Sequence, residues 1–187
     1  MRRLMVFNSI TLDGHFTGAN GDLSWAHVQD PEWQAFTAEN AKGEAEAIFG
    51  RVTYEMMASW WPTPQARQMA PDVAKAMNEM PKVVFSRSLR TADWQNTRVV
   101  NSDPADEIRR MKSQSGPQLL LMGSGTIVSQ LTEAGLIDEY QIVVHPLVIG
   151  KGRSMFETVT KTVPLRRTAE RTFKNGRVVL WYEATTS

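Results

Sequence analysis

The sequence predicts an α/β fold, a mostly parallel central sheet flanked by helices and finished by an antiparallel pair of strands. Three observations predict it. From Leu4 to Ala134, short apolar runs rich in Val, Ile, Leu and Phe alternate with stretches of helical spacing, the pattern of parallel strands joined by helices. After Asp138 the character changes, and three strand-like segments follow one another with no helix between them, which adds an antiparallel edge. Several of the earlier apolar runs end abruptly in glycine or small polar residues, as strands do where they turn into a helix.

Taken in order, Leu4 to Ile10 reads as a strand that runs into the loop Thr11-Leu12-Asp13-Gly14-His15-Phe16-Thr17-Gly18, with Asn20-Gly21 as a further turn signal. Asp30-Pro31-Glu32 is a helix start, with Asp as N-cap, Pro at the first position and Glu in the first turn, and Trp33, Phe36 and Thr37 follow on one face. A strand from Ala45 to Phe49 meets Gly50, and a helix from Thr53 carries Tyr54, Met57 and Ala58 before Trp60-Trp61-Pro62 ends it. A helix from Asp72 to Met80 precedes Pro81 and the strand Lys82 to Ser86. After Val99-Val100 comes a helix from about Asp103 to Ser113, then the apolar run Leu119-Leu120-Leu121-Met122. The next helix places Ile127, Val128, Leu131 and Ala134 on one face, with Gly135 just past its end. Asp138 to Val148, Leu165 to Phe173 and Arg177 to Ala184 are the closing strands.

Composition narrows the function classes. The chain has 187 residues and no composition shift or linker, so one domain is expected. A net charge of +1, from 21 basic and 20 acidic side chains, supplies no basic field for nucleic acid or an anionic membrane. Arg166, Arg167, Arg171, Lys174 and Arg177 cluster near the end and read as the solvated face of a hairpin. With no cysteine there is no thiolate chemistry, and His15, His27 and His145 lack metal-ligand spacing, so no metal site is expected. No apolar run is long enough for a signal peptide or a spanning helix, which leads to the expectation of a soluble cytoplasmic protein. The six tryptophans and ten methionines read as core and interface.

Candidate binding residues gather at three strand ends. Gly123-Ser124-Gly125-Thr126 follows Leu120-Leu121-Met122, Gly50-Arg51-Val52-Thr53 follows Ile48-Phe49, and Ser86-Arg87-Ser88 follows Val83-Val84-Phe85. Ligands of open α/β sheets bind outside the carboxyl ends of the strands. The first turn of a helix leaves its N–H groups unpaired and carries partial positive charge, which suits phosphate. Gly123 and Gly125 allow close approach, Ser124 and Thr126 offer cap or phosphate hydroxyls, Arg51 and Arg87 offer charge-assisted donors, and Thr53 a hydroxyl at a helix start. Each feature singly also reads as an ordinary cap or surface residue; three together in one chain favour a long, multiply charged ligand.

In these blocks the chain resembles the dihydrofolate-reductase-like superfamily, and within it the reductase domain of the riboflavin-biosynthesis deaminase-reductase, as a free-standing form. The resemblance spans nearly the whole chain: Ser9-Ile10-Thr11-Leu12-Asp13-Gly14, Phe49-Gly50-Arg51-Val52-Thr53-Tyr54-Glu55, Val84-Phe85-Ser86-Arg87, Gly123-Ser124-Gly125, Gly135-Leu136-Ile137-Asp138-Glu139 and Pro146-Leu147-Val148-Ile149-Gly150-Lys151-Gly152. It implies an NADPH-dependent reductase of a small heterocyclic or carbonyl substrate, such as an aminopyrimidine ribosyl compound. By the same analogy Gly50, Arg51 and Thr53 meet the cofactor phosphates, and Ser86 and Arg87 the adenosine 2′-phosphate. Gly123 to Thr126 serve the diphosphate and nicotinamide side, and Ser9 presents backbone groups to the carboxamide. The loop Asp13 to Trp25 would close over the nicotinamide.

The resemblance also implies a carboxylate five residues beyond a loop tryptophan. Trp25 and Asp30 keep that spacing, so Asp30 is the candidate catalytic carboxylate, with Glu32 in reserve. The stretch from Asp30 to Gly50 is longer than the family pattern, and neither a deaminase His-x-Glu nor a Cys-x-x-Cys is present. A dihydrofolate or pterin reductase, and a nucleotide-binding protein without turnover, are the alternative readings. A homodimer is expected by resemblance, with Trp60, Trp61, Trp94 and Trp181 as a candidate aromatic edge; the same tryptophans also read as seams between helices and sheet.

Overall fold

The computed structural model describes residues 1–27 and 30–185. Eight strands form one sheet in the order β5-β4-β3-β6-β1-β7-β10-β9. They are β1 (Leu4–Thr11), β3 (Ala45–Gly50), β4 (Lys82–Phe85), β5 (Thr97–Val100), β6 (Gln118–Met122), β7 (Glu139–His145), β9 (Leu165–Thr172) and β10 (Val178–Ala184). All neighbours from β5 to β7 are parallel, while β10 runs antiparallel to both β7 and β9. This is the expected sheet, with its antiparallel edge in the expected place. Two short strands, β2 (Thr17–Gly18) and β8 (Gly152–Arg153), form a separate antiparallel pair. The sequence reading lacks them, because two residues are too few to show a period and the partners come from distant loops.

Helices α1 (Pro31–Asn40), α2 (Arg51–Trp60), α3 (Pro64–Met69), α4 (Pro71–Glu79), α5 (Pro104–Ser113) and α6 (Gly125–Glu133) cover the sheet. Strand alternation divides the core between the two faces. Leu4 and Val6 of β1, Ile48 of β3, and Leu119 and Leu121 of β6 pack with Ile108 and Met111 of α5 and Ile127, Val128 and Leu131 of α6. On the other face Ala47, Phe49, Val84 and Met122 meet Tyr54 of α2 and Met77 of α4. Phe36 of α1 joins Val143, Phe173 and Val179 on that face, and Phe7 touches both of its clusters. Among the described residues no helix is long and apolar enough to cross a membrane.

Three local expectations are corrected. The helix expected from Thr53 begins two residues earlier, because Gly50 is already extended and Arg51 takes the first helical position. The segment after Pro62, to which the sequence reading assigns no element, contains α3, started by Thr63, whose hydroxyl accepts from the Ala66 N–H at 3.1 Å, and by Pro64. The four tryptophans do not make one exposed edge. Trp94 is 4% exposed, donating its ring N–H to Asn78 Oδ1 at 2.8 Å, and Trp181 packs near Phe36, so these two cover seams inside the chain while Trp60 stays exposed.

Candidate functional site

Because β4, β3, β6, β1 and β7 are parallel, their carboxyl ends, Phe85, Gly50, Met122, Thr11 and His145, lie along one edge of the sheet. Along that edge β1 and β6 part company. Their register ends at Phe7↔Met122, whereas β1 continues beside β7 as far as Thr11↔His145. Asn8, a buried polar residue in an apolar strand, bridges the gap. Its Oδ1 accepts from the Gly123 N–H at 2.5 Å and its Nδ2 donates to the Gly123 carbonyl at 3.0 Å. One side chain thus replaces the backbone pairing that the sheet gives up there.

The turn after β6 is latched to β3 and α2 as well. The Ser124 N–H donates to Thr53 Oγ1 at 3.0 Å, and Ser124 Oγ accepts from the Gly50 N–H at 2.8 Å while donating to the Met122 carbonyl at 3.0 Å. Gly123 has φ +57, and a Cβ there would lie 2.7 Å from Thr53 Cγ2, so glycine is required on both counts. Gly125 answers a different need: a Cβ would lie 2.4 Å from the Phe16 ring, which sits on it.

These latches bring the amino ends of α2 and α6 together, one from each face of the sheet. In α6 the Ile127 and Val128 N–H groups bond back to the Ser124 carbonyl, leaving those of Gly125 and Thr126 without an acceptor among the described residues. In α2 the N–H groups of Arg51, Val52 and Thr53 are likewise unpaired, and the Thr53 hydroxyl keeps its own proton to donate. Strand alternation adds two more groups. Leu119 donates to the Arg3 carbonyl and Thr11 to the His15 carbonyl, so the odd residues of β1 face the β6 side, and the Ser9 N–H and C=O point past the end of β6. The edge is therefore lined mainly by donors and by two helix amino ends, an arrangement that accepts an extended anion.

The structure assigns the remaining sequence candidates as follows. Ser124 is the N-cap by position, but at φ +55 its hydroxyl makes no cap bond and its proton is spent on Met122, which corrects its expected use as a cap or phosphate donor. Arg51 is exposed and holds Glu55 at 2.8–2.9 Å through one guanidinium nitrogen, so its charge is shared rather than free. Thr126 Oγ1 lies 3.4 Å from Arg153 Nη2, a rim contact the sequence reading lacks. Ser86 Oγ accepts from the Ser88 and Leu89 N–H groups and fixes the turn that presents Arg87, which is exposed and without an ion pair among the described residues. Gly50, Thr53, Gly123, Ser124 and Gly125 come together directly; Ser86 and Arg87 stand one strand further out, and Ser9 one strand the other way. Asp30 caps α1, accepting from the Trp33 N–H at 2.8 Å through Oδ1.

The loop after β1 is held by Asp13, which accepts from Thr11 Oγ1 at 2.6 Å and from the Gly150 N–H at 2.8 Å. The Thr11 hydroxyl first, and the Gly150 and Ile149 N–H groups after it, hold this carboxyl well below the usual range. Beyond it, at the ends of β1 and β7, lies a buried polar cluster the sequence reading misses. Arg177, read as part of a solvated face, is 2% exposed, with its guanidinium 4.7 Å from the Trp33 ring centroid. The error has a physical source: position before β10 makes Arg177 look like its neighbours in the hairpin, whereas Trp33 of α1 and the turn Ser24–Ala26 pack against it and bury it. His145 beside it is also 2% exposed, and burial first, then the Arg177 charge, pushes its imidazole down to about 4. Of all these, only Asn8 carried a signal in the sequence, as the one amide inside the run Leu4 to Ile10.

Comparison with known proteins places this geometry in context. The sequence pattern of the RibD C-terminal domain matches residues 2–179. The chain is 28% identical over 182 residues to the uncharacterized protein YyaP of Bacillus subtilis, covering 97% of this chain and 94% of that one. Among solved structures it is similar to a putative riboflavin biosynthesis protein from Shewanella sp. PV-4, with TM-score 0.75 and 19% identity over 98% of this chain and 99% of that one. It is also similar to the diaminohydroxyphosphoribosylaminopyrimidine deaminase/5-amino-6-(5-phosphoribosylamino)uracil reductase of Thermotoga maritima, with TM-score 0.70 and 15% identity, spanning 98% of this chain and 57% of that one. A dihydrofolate reductase from Enterococcus faecalis, complexed with NADP(H), matches with TM-score 0.66 and 15% identity over 98% of this chain and 97% of that one. The fold is dihydrofolate-reductase-like.

Three outcomes are expected from the geometry. Asn8→Leu strands the Gly123 N–H and C=O and lowers the unfolding free energy by about 2–5 kcal/mol, and Gly123→Ala lowers it by about 2–4 kcal/mol through the left-handed backbone and the Thr53 clash; urea unfolding checks both, and unchanged midpoints would refute the latch. For His145, an unfolded imidazole titrates near 6.5, so between about 6.5 and 4 the unfolded chain binds a proton that the folded chain refuses. This contribution to stability is complete above pH 6.5 and declines as pH falls, at up to about 1.4 kcal/mol per pH unit. His145→Gln flattens that part of a series of urea midpoints taken from pH 7.5 to 4.5.

Proposed function

The chain belongs to the RibD C-terminal domain family, and on that premise we propose that it is a reductase that uses NADPH to reduce a small heterocyclic or carbonyl compound of the aminopyrimidine kind. The observation that carries the reading is the meeting of the α2 and α6 amino ends beside the unpaired backbone of Ser9. Five main-chain N–H groups and the Thr53 hydroxyl stand ready for a diphosphate, from Arg51, Val52, Thr53, Gly125 and Thr126. Ser9 offers one donor and one acceptor side by side, the complement of a carboxamide. Arg87, held out by the Ser86 turn, is the unpaired cation for a 2′-phosphate. Gly50 and Ser124 support this reading by holding the two helix ends in place rather than by contacting the ligand.

NADPH, when bound, supplies the hydride. The chain's own task is then to hold the substrate against the nicotinamide and deliver a proton. Asp30 supports that role because only Oδ1 is used by the α1 cap. The substrate class follows the Thermotoga maritima relative, whose named activity is reduction of an aminouracil.

Calorimetric titration with NADPH and NADH at one fixed salt concentration tests the cofactor. NADPH is expected to bind at least tenfold tighter, and Arg87→Ala to remove most of that preference, about 1.5–3 kcal/mol for a charge-assisted contact. Binding of neither nucleotide overturns the reading. Asp30→Asn separates two roles, since Asn caps a helix as well as Asp does but offers no exchangeable acid. The expected result is unchanged thermal stability with turnover reduced at least a hundredfold, measured on a pyrimidine and carbonyl panel; undiminished turnover removes Asp30 from the chemistry.

A further inference from the structure

At the ends of β1 and β7, donors outnumber acceptors inside the protein. Arg177 Nε donates to His145 Nδ1 at 3.4 Å and Nη2 to the Ala26 carbonyl at 3.3 Å, while Nη1 is buried with no partner among the described residues. Having accepted at Nδ1, the neutral imidazole of His145 carries its proton on Nε2, which is also buried and without a partner among the described residues. The Trp25 ring lies 5.0 Å from that imidazole, edge to face, and its Nε1–H is a third buried donor with no acceptor among the described residues. The guanidinium has no ion pair among the described residues. Burial pushes the guanidinium pKa down, and the Asp30 charge opposes that shift in part.

A buried arginine keeps its proton, so its charge calls for a counter-charge. Water answers poorly: one molecule accepts two hydrogen bonds and brings two further protons, into a cluster that already lacks acceptors. A carboxylate presents two oxygens with about four acceptor sites and no proton, and its single charge equals that of the one cation present. The cluster sits where Thr11 pairs with His145, two residues along β1 from Ser9, on the edge that carries the candidate cofactor groups.

We propose that Arg177, His145 and Trp25 form a buried subsite for a singly charged oxygen group, carboxylate in size, that belongs to the substrate. Its attribution to a substrate rests on the reductase reading; the anion site itself is tested apart from it. The turn Ser24–Ala26, tied to Arg177 through the Ala26 carbonyl, is its cover, and entry breaks that one bond.

The test is an NMR titration of the full chain with sodium formate and sodium acetate at constant ionic strength, following the indole N–H of Trp25, assigned with Trp25→Phe. A saturable shift is expected with both anions and none with acetamide, which has the shape of acetate without the charge. Arg177→Met, which keeps a long apolar stem, is expected to weaken the response at least tenfold while NADPH affinity stays within twofold. Arg177→Lys, which retains the charge, gives an intermediate response and serves should the Met variant not fold. No saturable shift in the wild-type chain, an equal shift with acetamide, an unchanged response in both Arg177 variants, or tighter binding of inorganic phosphate than of acetate would each overturn the subsite. Loss of NADPH binding with the anion response intact would instead remove the reductase reading and leave the subsite standing.

Discussion

The amide of Asn8 gripping both backbone groups of Gly123 is the constraint on which the site depends. A parallel sheet opens a ligand cleft only where two neighbouring strands diverge, and divergence exposes backbone groups that must find other partners. Here β6 stops at Met122 while β1 continues to Thr11, and Asn8 satisfies the first residue after the split. With Gly123 fixed, Ser124 reaches Gly50 and Thr53, and the amino ends of α2 and α6 are set on the same edge from opposite faces. The groups that make the turn rigid are thus largely separate from those left free to bind, the Thr53 hydroxyl alone serving both by accepting from Ser124 and keeping its proton. The Ser124 and Asn8 side chains are consumed internally, and the main-chain N–H groups remain.

The edge is divided by the kind of positive charge it offers. Toward β3 and β6 the charge is diffuse, carried by helix ends and by Arg51 and Arg87 at the rim, and exposed to solvent. Toward β7 and β10 it is concentrated in one guanidinium that the protein buries beneath Trp33. Diffuse exposed donors suit a long phosphate-bearing ligand that binds reversibly across a surface. A buried cation with spare donors is tolerable only if an anion completes it, because desolvation is then offset by a short charge-assisted bond. The same environment that leaves Arg177 incomplete keeps His145 neutral, so the two neighbours act as a single positive site across the ordinary pH range.

Much of this was legible residue by residue. The alternation of apolar runs and helical spacing marks the strands from Leu4 to Met122 and the antiparallel close, and Asp30 followed by Pro31 marks the start of α1 to the residue. The strand ends at Gly50, Ser86 and Gly123 were legible as candidate binding turns because three of them recur in one chain, although each singly also reads as an ordinary cap or turn. What was not legible is how those residues divide their hydrogen bonds. Thr53 and Ser124 are separated by 71 positions, and nothing local says that one accepts from the other rather than from a phosphate. The glycine at 125 likewise has a reason 109 positions away in the ring of Phe16, a packing need that nothing local in the sequence shows.

The sequence by itself determined the fold class, the order of the main strands and helices, and the strand ends where candidate binding residues gather, because periodicity, caps and turn residues act within a few positions of one another. Only the tertiary structure decided which of those residues hold the turn and which face outward, and that Arg177 is buried while Arg166 and Arg167 beside it in the same hairpin are exposed. The physical reason is that burial and hydrogen-bond satisfaction are properties of whatever packs against a residue. For Arg177 that is α1 and the turn Ser24–Ala26, both more than a hundred residues earlier in the chain.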